Sequence, residues 1–272
     1  MNKLKIAAAI CAGAGLLGIT SAPAAASART KKLPKQLRKH ILQVRDSINW
    51  SGYASINGPF ESVEGAWQIT NVKHSAQAAA NATWIGIGGI LGNDLIQSGT
   101  ETDTSPDGGV SYQAWIEMLP NPPFQIPVAV SSGNSVNVKI QKIGRDFWNI
   151  NFKNLSTGQS YSANEIYRSS LSSAEWIEEA PSSAFGGVIP IDKFGSVHFR
   201  NAYALHLRRR ETLAQTGAMP INLIDSLGRI LAQTSKISKR GSGFAVKRTK
   251  ISPISQPNFL FRAVKRMGSV FK

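Results

Sequence analysis

The chain reads as an all-β protein, an antiparallel β-sandwich or barrel, and three features of the sequence say so. Apolar and polar residues alternate between Asn49 and Phe244, Gly, Pro, Asn and Ser break that alternation at short intervals, and sustained helical periodicity is nearly absent. Closely spaced strands with no helices between them favour an antiparallel sandwich or barrel. About 200–250 residues is an ordinary length for such a domain, so one core is expected over 46–249.

Each end of the chain differs from that body. Lys3 and Lys5 precede an apolar run from Ile6 to Ile19 and a small-residue stretch ending Ala26-Ser27-Ala28, the pattern of a secretory signal peptide over 1–28. The run is short of the ~20 residues of a membrane-spanning helix, and no later segment is apolar for long enough. A secreted, extracellular protein with no integral membrane segment is expected. Cys11, the one cysteine, lies in the segment to be removed, so the mature chain has no disulfide, thiol nucleophile or Cys-based metal site.

The formal net charge of +15 is unevenly spread. Residues 29–45 hold seven Lys/Arg and no acid, residues 236–272 hold ten and no acid, and all 16 acids fall in 46–235 beside 12 Lys/Arg. Basic ends therefore flank a mildly acidic body, which lacks the interleaved basic and aromatic residues of a nucleic-acid surface. The 29–45 stretch reads as a basic pro-segment or a solvated linker. In 250–272, Leu260, Val264, Met267 and Phe271 recur at helical spacing with basic residues outside the stripe. That short amphipathic helix would dock on its own domain or contact an anionic surface.

Within the body, Val136, Val138 and Ile140 alternate, as do Trp148, Ile150 and Phe152, and Gly144-Arg145-Asp146 between them predicts a hairpin. Asn121-Pro122-Pro123 and Pro181-Ser182-Ser183 read as loops. Successive side chains of a strand point to opposite faces. Gln113, Trp115 and Glu117 therefore share one face, as do Glu175, Ile177 and Glu179, while Gln97 points with Leu95. Glu178 and Glu179 must point apart. Taken one at a time, such acids read as solvated strand faces.

Several chemistries find no support. His40, His74, His198 and His206 form no H-E-x-x-H or i,i+4 pair, so no metal is implied. There is no G-x-S-x-G elbow, and Gly241-Ser242-Gly243 reads as a turn. Asp103-Thr104-Ser105 and Asp225-Ser226-Leu227 fail the D-[TS]-G pattern and read as loop aspartates. Gly86-Ile87-Gly88-Gly89 opens no helix, which removes a nucleotide fingerprint and leaves no cofactor to expect.

Six strings then stand in one order: Asn49-Trp50-Ser51-Gly52-Tyr53, Val63-Glu64-Gly65-Ala66-Trp67, Ala82-Thr83-Trp84-Ile85-Gly86-Ile87-Gly88-Gly89, Leu95-Ile96-Gln97-Ser98-Gly99-Thr100, Tyr112-Gln113-Ala114-Trp115-Ile116-Glu117 and Ala174-Glu175-Trp176-Ile177-Glu178-Glu179-Ala180-Pro181. Their order resembles that of the glutamic peptidase (eqolisin) family over about Asn49 to Phe244. The resemblance implies two large, curved, lectin-like antiparallel sheets with the site on a concave face. It also implies a pepstatin-insensitive acid endopeptidase acting on protein or peptide substrates. Carried over block by block, the catalytic pair is Gln97 and Glu179, and Trp50, Trp84, Gln113, Trp115 and Glu117 line the cleft.

A Glu/Gln pair suits that chemistry. A hydrogen-bonded Glu, of ordinary pKa ~4.3, takes a proton from water and passes it to the leaving amine. A Gln N–H donates to the developing oxyanion, a role worth ~2.7–4 kcal/mol in other hydrolases. Trp67, Trp148 and Trp176 read instead as sandwich core. Many fungal members have aspartate at the positions of Gly88 and Gln113 and carry disulfides, so this chain is more similar to the bacterial type. Two other functions fit parts of the pattern. A lectin-like binding module would use Trp84 and Trp115 without needing both Gln97 and Glu179, and a glycosidase would pair Glu117 with Glu179.

Overall fold

The computed structural model describes residues 8–9, 45–183 and 186–250. Strands occupy most of this span: β1 (Ala8–Ala9), β2 (Arg45–Ser47), β3 (Trp50–Ser55), β4 (Phe60–Gln68), β5 (Ala79–Gly88), β6 (Leu95–Thr104), β7 (Val110–Met118), β8 (Phe124–Gln125) and β9 (Ser135–Lys142). They continue as β10 (Phe147–Asn154), β11 (Ser160–Ile166), β12 (Ala174–Glu179), β13 (Ser182–Ser183), β14 (Ser196–His206), β15 (Arg209–Thr212), β16 (Met219–Ile224), β17 (Ile230–Thr234) and β18 (Phe244–Arg248). No helix occurs among the described residues. The expected helix in 250–272 lies outside them except for Lys250, and the expected signal peptide and basic segment lie outside except for β1 and the start of β2.

Hydrogen bonding runs in the order β11-β10-β9-β4-β14-β18-β17-β16-β3-β12-β5-β6-β7-β8. Every pairing on this path is antiparallel, whereas β2 joins β16 in parallel. The path folds over into two layers because β14 serves both. Its first residues, Ser196–Phe199, pair with β18, and its later ones pair with β4. Between Arg200 and Tyr203 the register shifts, and Asn201 takes a φ of 51°, a left-handed bend that Asn tolerates better than most residues. β4 and β9 thereby pack face to face on β5 and β6 without strand pairing.

Alternation built the core between the layers as expected. Val136, Val138 and Ile140 of β9 and Trp148, Ile150 and Phe152 of β10 pack with Ile85, Ile87, Ile96, Ile116 and Trp176. The β9–β10 hairpin turns at 143–146, as predicted. Trp67, Trp148 and Trp176 belong to this core, and each indole N–H has a partner, respectively the Thr100 hydroxyl and the carbonyls of Tyr167 and Glu64. A buried donor left unpaired costs ~1–3 kcal/mol, so these three rings are fully accommodated.

Two sequence expectations fail locally. Ser182–Ser183 is a short strand rather than a loop, and Asp103 sits within β6 rather than in a turn. A larger correction concerns the acids, because Glu117, Glu175, Glu178 and Glu179 are all buried. Neighbouring sheet positions supply amide and hydroxyl partners to some of them, which periodicity alone does not reveal. Glu178 points between the layers, where Asn81 Nδ2 and the Thr83 hydroxyl donate to it at 2.5 and 2.6 Å.

Candidate active site

β3, β12, β5, β6 and β7 are consecutive neighbours, so residues in register form rows across the face turned away from the core. One row runs Trp50, Glu179, Ala82, Glu101, Gln113. The next runs Gly52, Ile177, Trp84, Gly99, Trp115, and a third runs Ala54, Glu175, Gly86, Gln97, Glu117. All seven residues nominated from the sequence share this face. The two adjacent middle strands β5 and β6 contribute the small positions Ala82, Gly86 and Gly99 beside Trp84, Gln97 and Glu101.

Those glycines make room. A Cβ on Gly99 would lie 2.2 Å from the Thr83 carbonyl oxygen and 2.6 Å from the Trp84 Cβ. One on Gly86 would come within 2.8 Å of Leu95, 3.1 Å of the Trp84 ring and 3.2 Å of the Gln97 Cβ. The Trp84 ring therefore lies against backbone and meets Trp50 edge-on, with centroids 5.1 Å apart at 78°. Trp115, Leu95 and Ile177 complete the apolar floor, and Ile90 and Leu119 pack on it.

Polar groups converge on this floor. Glu179 accepts from Asn49 Nδ2 at 3.2 Å through Oε1 and from Trp84 Nε1 at 2.8 Å through Oε2. The Trp50 indole N–H leans toward the same carboxyl without reaching hydrogen-bond geometry. Gln97 Nε2 donates to Glu117, and Gln113 Nε2 donates to Glu101 at 2.5 Å. Burial pushes Glu179 up to about 8, against the pull of its indole and amide donors. Glu117 is raised to about 8 first by burial and next by the charge of Glu179, with Gln97 opposing. Glu101 also reaches about 8, through burial and then the charge of Asp103. Mutual repulsion makes these carboxyls titrate as a set.

Partners are conspicuously incomplete here. Eleven buried side-chain polar atoms lack a hydrogen-bond partner among the described residues, and seven lie on this face: Trp50 Nε1, Trp115 Nε1, Gln97 Oε1, Glu101 Oε1, Glu117 Oε1 and both oxygens of Glu175. Folded proteins rarely tolerate such atoms unless a ligand or water completes them. Gln97 and Glu179 are both fully buried.

Two surface cavities lie elsewhere, one of about 310 Å³ beside Thr70, His198 and Arg200, the other of about 150 Å³ beside Glu64, Tyr203 and Arg210. They carry no such concentration of orphaned atoms, although Thr70 Oγ1 is one. Among the described residues no group of three or more His, Cys, Asp or Glu is arranged to hold a metal ion. Three residues of the site were not nominated from the sequence. Glu101 was within reach, being four residues beyond Gln97 on the same strand and hence on the same face, and Glu175 had been placed on the Glu179 face. Asn49 lies just before β3, where strand parity says nothing.

A sandwich whose outward sheet face gathers carboxyls, carboxamides and indoles is the architecture of a glutamic peptidase. The Peptidase A4 family model matches residues 48–247, and the chain belongs to that family. Aspergillopepsin-2 of Aspergillus niger is 26% identical over 214 residues, covering 70% of this chain and 74% of that protein. Scytalidopepsin B of Scytalidium lignicola is 28% identical over 116 residues, or 42% of this chain and 43% of that one. The fold is that of scytalido-glutamic peptidase solved with a transition state analog inhibitor, at a TM-score of 0.64, 20% identity, and 75% and 99% of the two chains. Aspergilloglutamic peptidase from Aspergillus niger superposes at a TM-score of 0.56 with 25% identity, over 63% and 99% of the chains. These relatives are fungal, so the bacterial type expected from Gly88, Gln113 and the lack of disulfides is not shown by them.

Proposed function

We propose that this chain is a secreted, pepstatin-insensitive endopeptidase of the bacterial type, in which Glu179 and Gln97 hydrolyse peptide bonds in acid solution. The convergence of unpartnered buried polar atoms around these two side chains carries the reading. Glu179 in its ionised form removes a proton from water, and the oxygen attacks the scissile carbonyl carbon. Gln97 has a second Nε2–H beyond the one given to Glu117, and this donates to the oxyanion. Glu117 thus orients Gln97. The proton held on Glu179 then passes to the leaving nitrogen as the C–N bond breaks. Trp50, Trp84 and Trp115 hold the peptide, and the free indole N–H groups of Trp50 and Trp115 donate to its backbone carbonyls.

Burial changes the pH expectation. A base raised above its ordinary range ionises later, so the acid limb of kcat/KM belongs above pH 4.5, the unperturbed Glu value, and cleavage rises through the weakly acid range toward neutrality. Export through 1–28, processing of 29–45 and contact of 250–272 with anionic surfaces remain part of this proposal and rest on the sequence patterns.

The test is degradation of a denatured protein by the mature chain across about pH 2 to 7, a window spanning the Glu range, with pepstatin present. Glu179→Gln and Gln97→Ala serve as folded controls. Pepstatin-resistant cleavage abolished by both substitutions supports the pair. Cleavage of a glycan that survives Gln97→Ala would point to a glycosidase, and peptide binding with no cleavage at any pH would point to a binding module.

A further inference from the structure

Glu179 needs more than a raised or lowered pKa to act as a base: one of its lone pairs must be aimed, and the structure shows what aims it. Asn49 is almost wholly buried, at 3% exposure. Its Nδ2 donates to Glu179 Oε1 and its backbone carbonyl accepts from the Ala180 N–H at 2.8 Å, so both ends of the residue grip the end of β12. The amide cannot turn over, because its Oδ1 is occupied. Ser47 Oγ donates to it at 3.0 Å and accepts from the backbone N–H groups of Asn49 and Trp50 at 3.3 and 3.1 Å. Flipping the amide would set its NH₂ against the Ser47 proton and its oxygen against the Glu179 carboxylate, two repulsions in place of two hydrogen bonds.

We propose that Asn49, locked by Ser47, is the positioning residue for Glu179, fixing the carboxylate plane from one side while Trp84 fixes it from the other. The inference rests on the reading of Glu179 as the base. It carries a structural consequence, since Ser47 is the last residue of β2, which enters the domain by pairing in parallel with Ile221–Leu223 of β16. The chain N-terminal to the domain is thereby connected to the base through two side chains. Trp84 alone would leave the carboxylate free to rotate about its Oε2 contact. Charged neighbours do not supply the missing constraint: Glu117 of β7, Glu101 of β6 and Glu178 of the same strand all repel an ionised Glu179.

The experiment compares the full chain with Asn49→Ala, Ser47→Ala and Ser47→Thr, measuring cleavage of a peptide substrate as a function of pH. In Asn49→Ala, kcat is expected to fall about tenfold with KM changed less than about twofold, the signature of a lost transition-state interaction. Losing a donor to the ionised form also raises the acid limb of kcat/KM by about one pH unit, a tenfold change in the protonation equilibrium. Ser47→Ala moves both quantities the same way by less, and Ser47→Thr, which keeps the hydroxyl, restores them. An acid limb unmoved in Asn49→Ala, or a kcat equal to that of the unaltered chain, would overturn the proposal and leave Asn49 a packing residue. Should Asn49→Ala fail to fold, the Ser47 pair gives the same readout: equal profiles for Ala and Thr refute it. Retention of cleavage by Glu179→Gln is a separate result, which removes the base itself and this inference with it.

Discussion

Raising the pH should unfold this protein from within its own site. Glu179 carries an unperturbed value of 4.5 and is pushed to about 8 in the folded chain. Below pH 4.5 both folded and unfolded forms hold the proton, and its contribution to stability is fully present. As pH rises the unfolded chain releases the proton while the folded one must keep it, so stability drains away until the folded value is passed. A displacement of about 3.5 units corresponds to on the order of 5 kcal/mol, against a typical net stability of ~5–15 kcal/mol. Glu101, Glu117 and Asp192 are also raised to about 8, and each further ionisation among neighbours costs more than the last. Melting temperatures followed by circular dichroism from about pH 3 to 9 should be highest in acid and fall steeply above neutrality. The slope of unfolding free energy against pH should exceed the ~1.4 kcal/mol per unit of one proton. Glu178→Gln removes one carboxyl whose burial holds it well above its ordinary value and should move the alkaline midpoint upward. A melting temperature that is flat or rising between pH 4 and 8 would refute the reasoning.

Other outcomes follow from the packing. Gly99→Ala drives a Cβ into the Thr83 carbonyl and the Trp84 Cβ; separating β5 from β6 should cost more than ~3 kcal/mol, the upper end of ordinary overpacking, and abolish cleavage, as read by denaturant titration and assay together. Trp84→Phe keeps most of the ring but deletes the donor to Glu179 Oε2; kcat should drop about 10- to 100-fold, in line with ~1.5–3 kcal/mol for a hydrogen bond to a charged group, with a melting temperature lowered by only a few degrees. Trp176→Ala opens the core between the layers and frees the Glu64 carbonyl, so it should lose ~3–5 kcal/mol in denaturant unfolding. Removal of 250–272 should leave peptide hydrolysis intact and reduce retention on anionic vesicles, as measured by co-sedimentation.

Much of the site was legible before any coordinates because strands have a period of two. Parity alone put Gln113, Trp115 and Glu117 together, separated Glu178 from Glu179, and would have delivered Glu101 from Gln97 had it been carried two steps further. The ordered blocks then supplied what parity lacks, namely which residues of different strands were expected to line one cleft. Burial of the acids was not legible, because it depends on partners from distant strands: Asn81 lies 97 residues from Glu178, and Asn49 lies 130 from Glu179. Asn49 was hidden for another reason. It stands in the two-residue link between β2 and β3, where a side chain's direction is set by turn geometry and not by alternation.

Sharing one strand between two sheets has a consequence for how this molecule comes apart. A sandwich of separate sheets can lose its layers one at a time, but here Ser196–Phe199 is stitched to β18 while Tyr203–His206 is stitched to β4. Fraying of either layer pulls on the other through Asn201. Amides of β9 and β10, far from the carboxyls, should then exchange with solvent hydrogen at the same opening free energy as those of β5 and β12, as one cooperative unit. Folding must likewise wait for chain ends separated by well over a hundred residues to meet across β14, a topology that assembles slowly. A chain that opens rarely and all at once presents few partly unfolded forms to a peptidase.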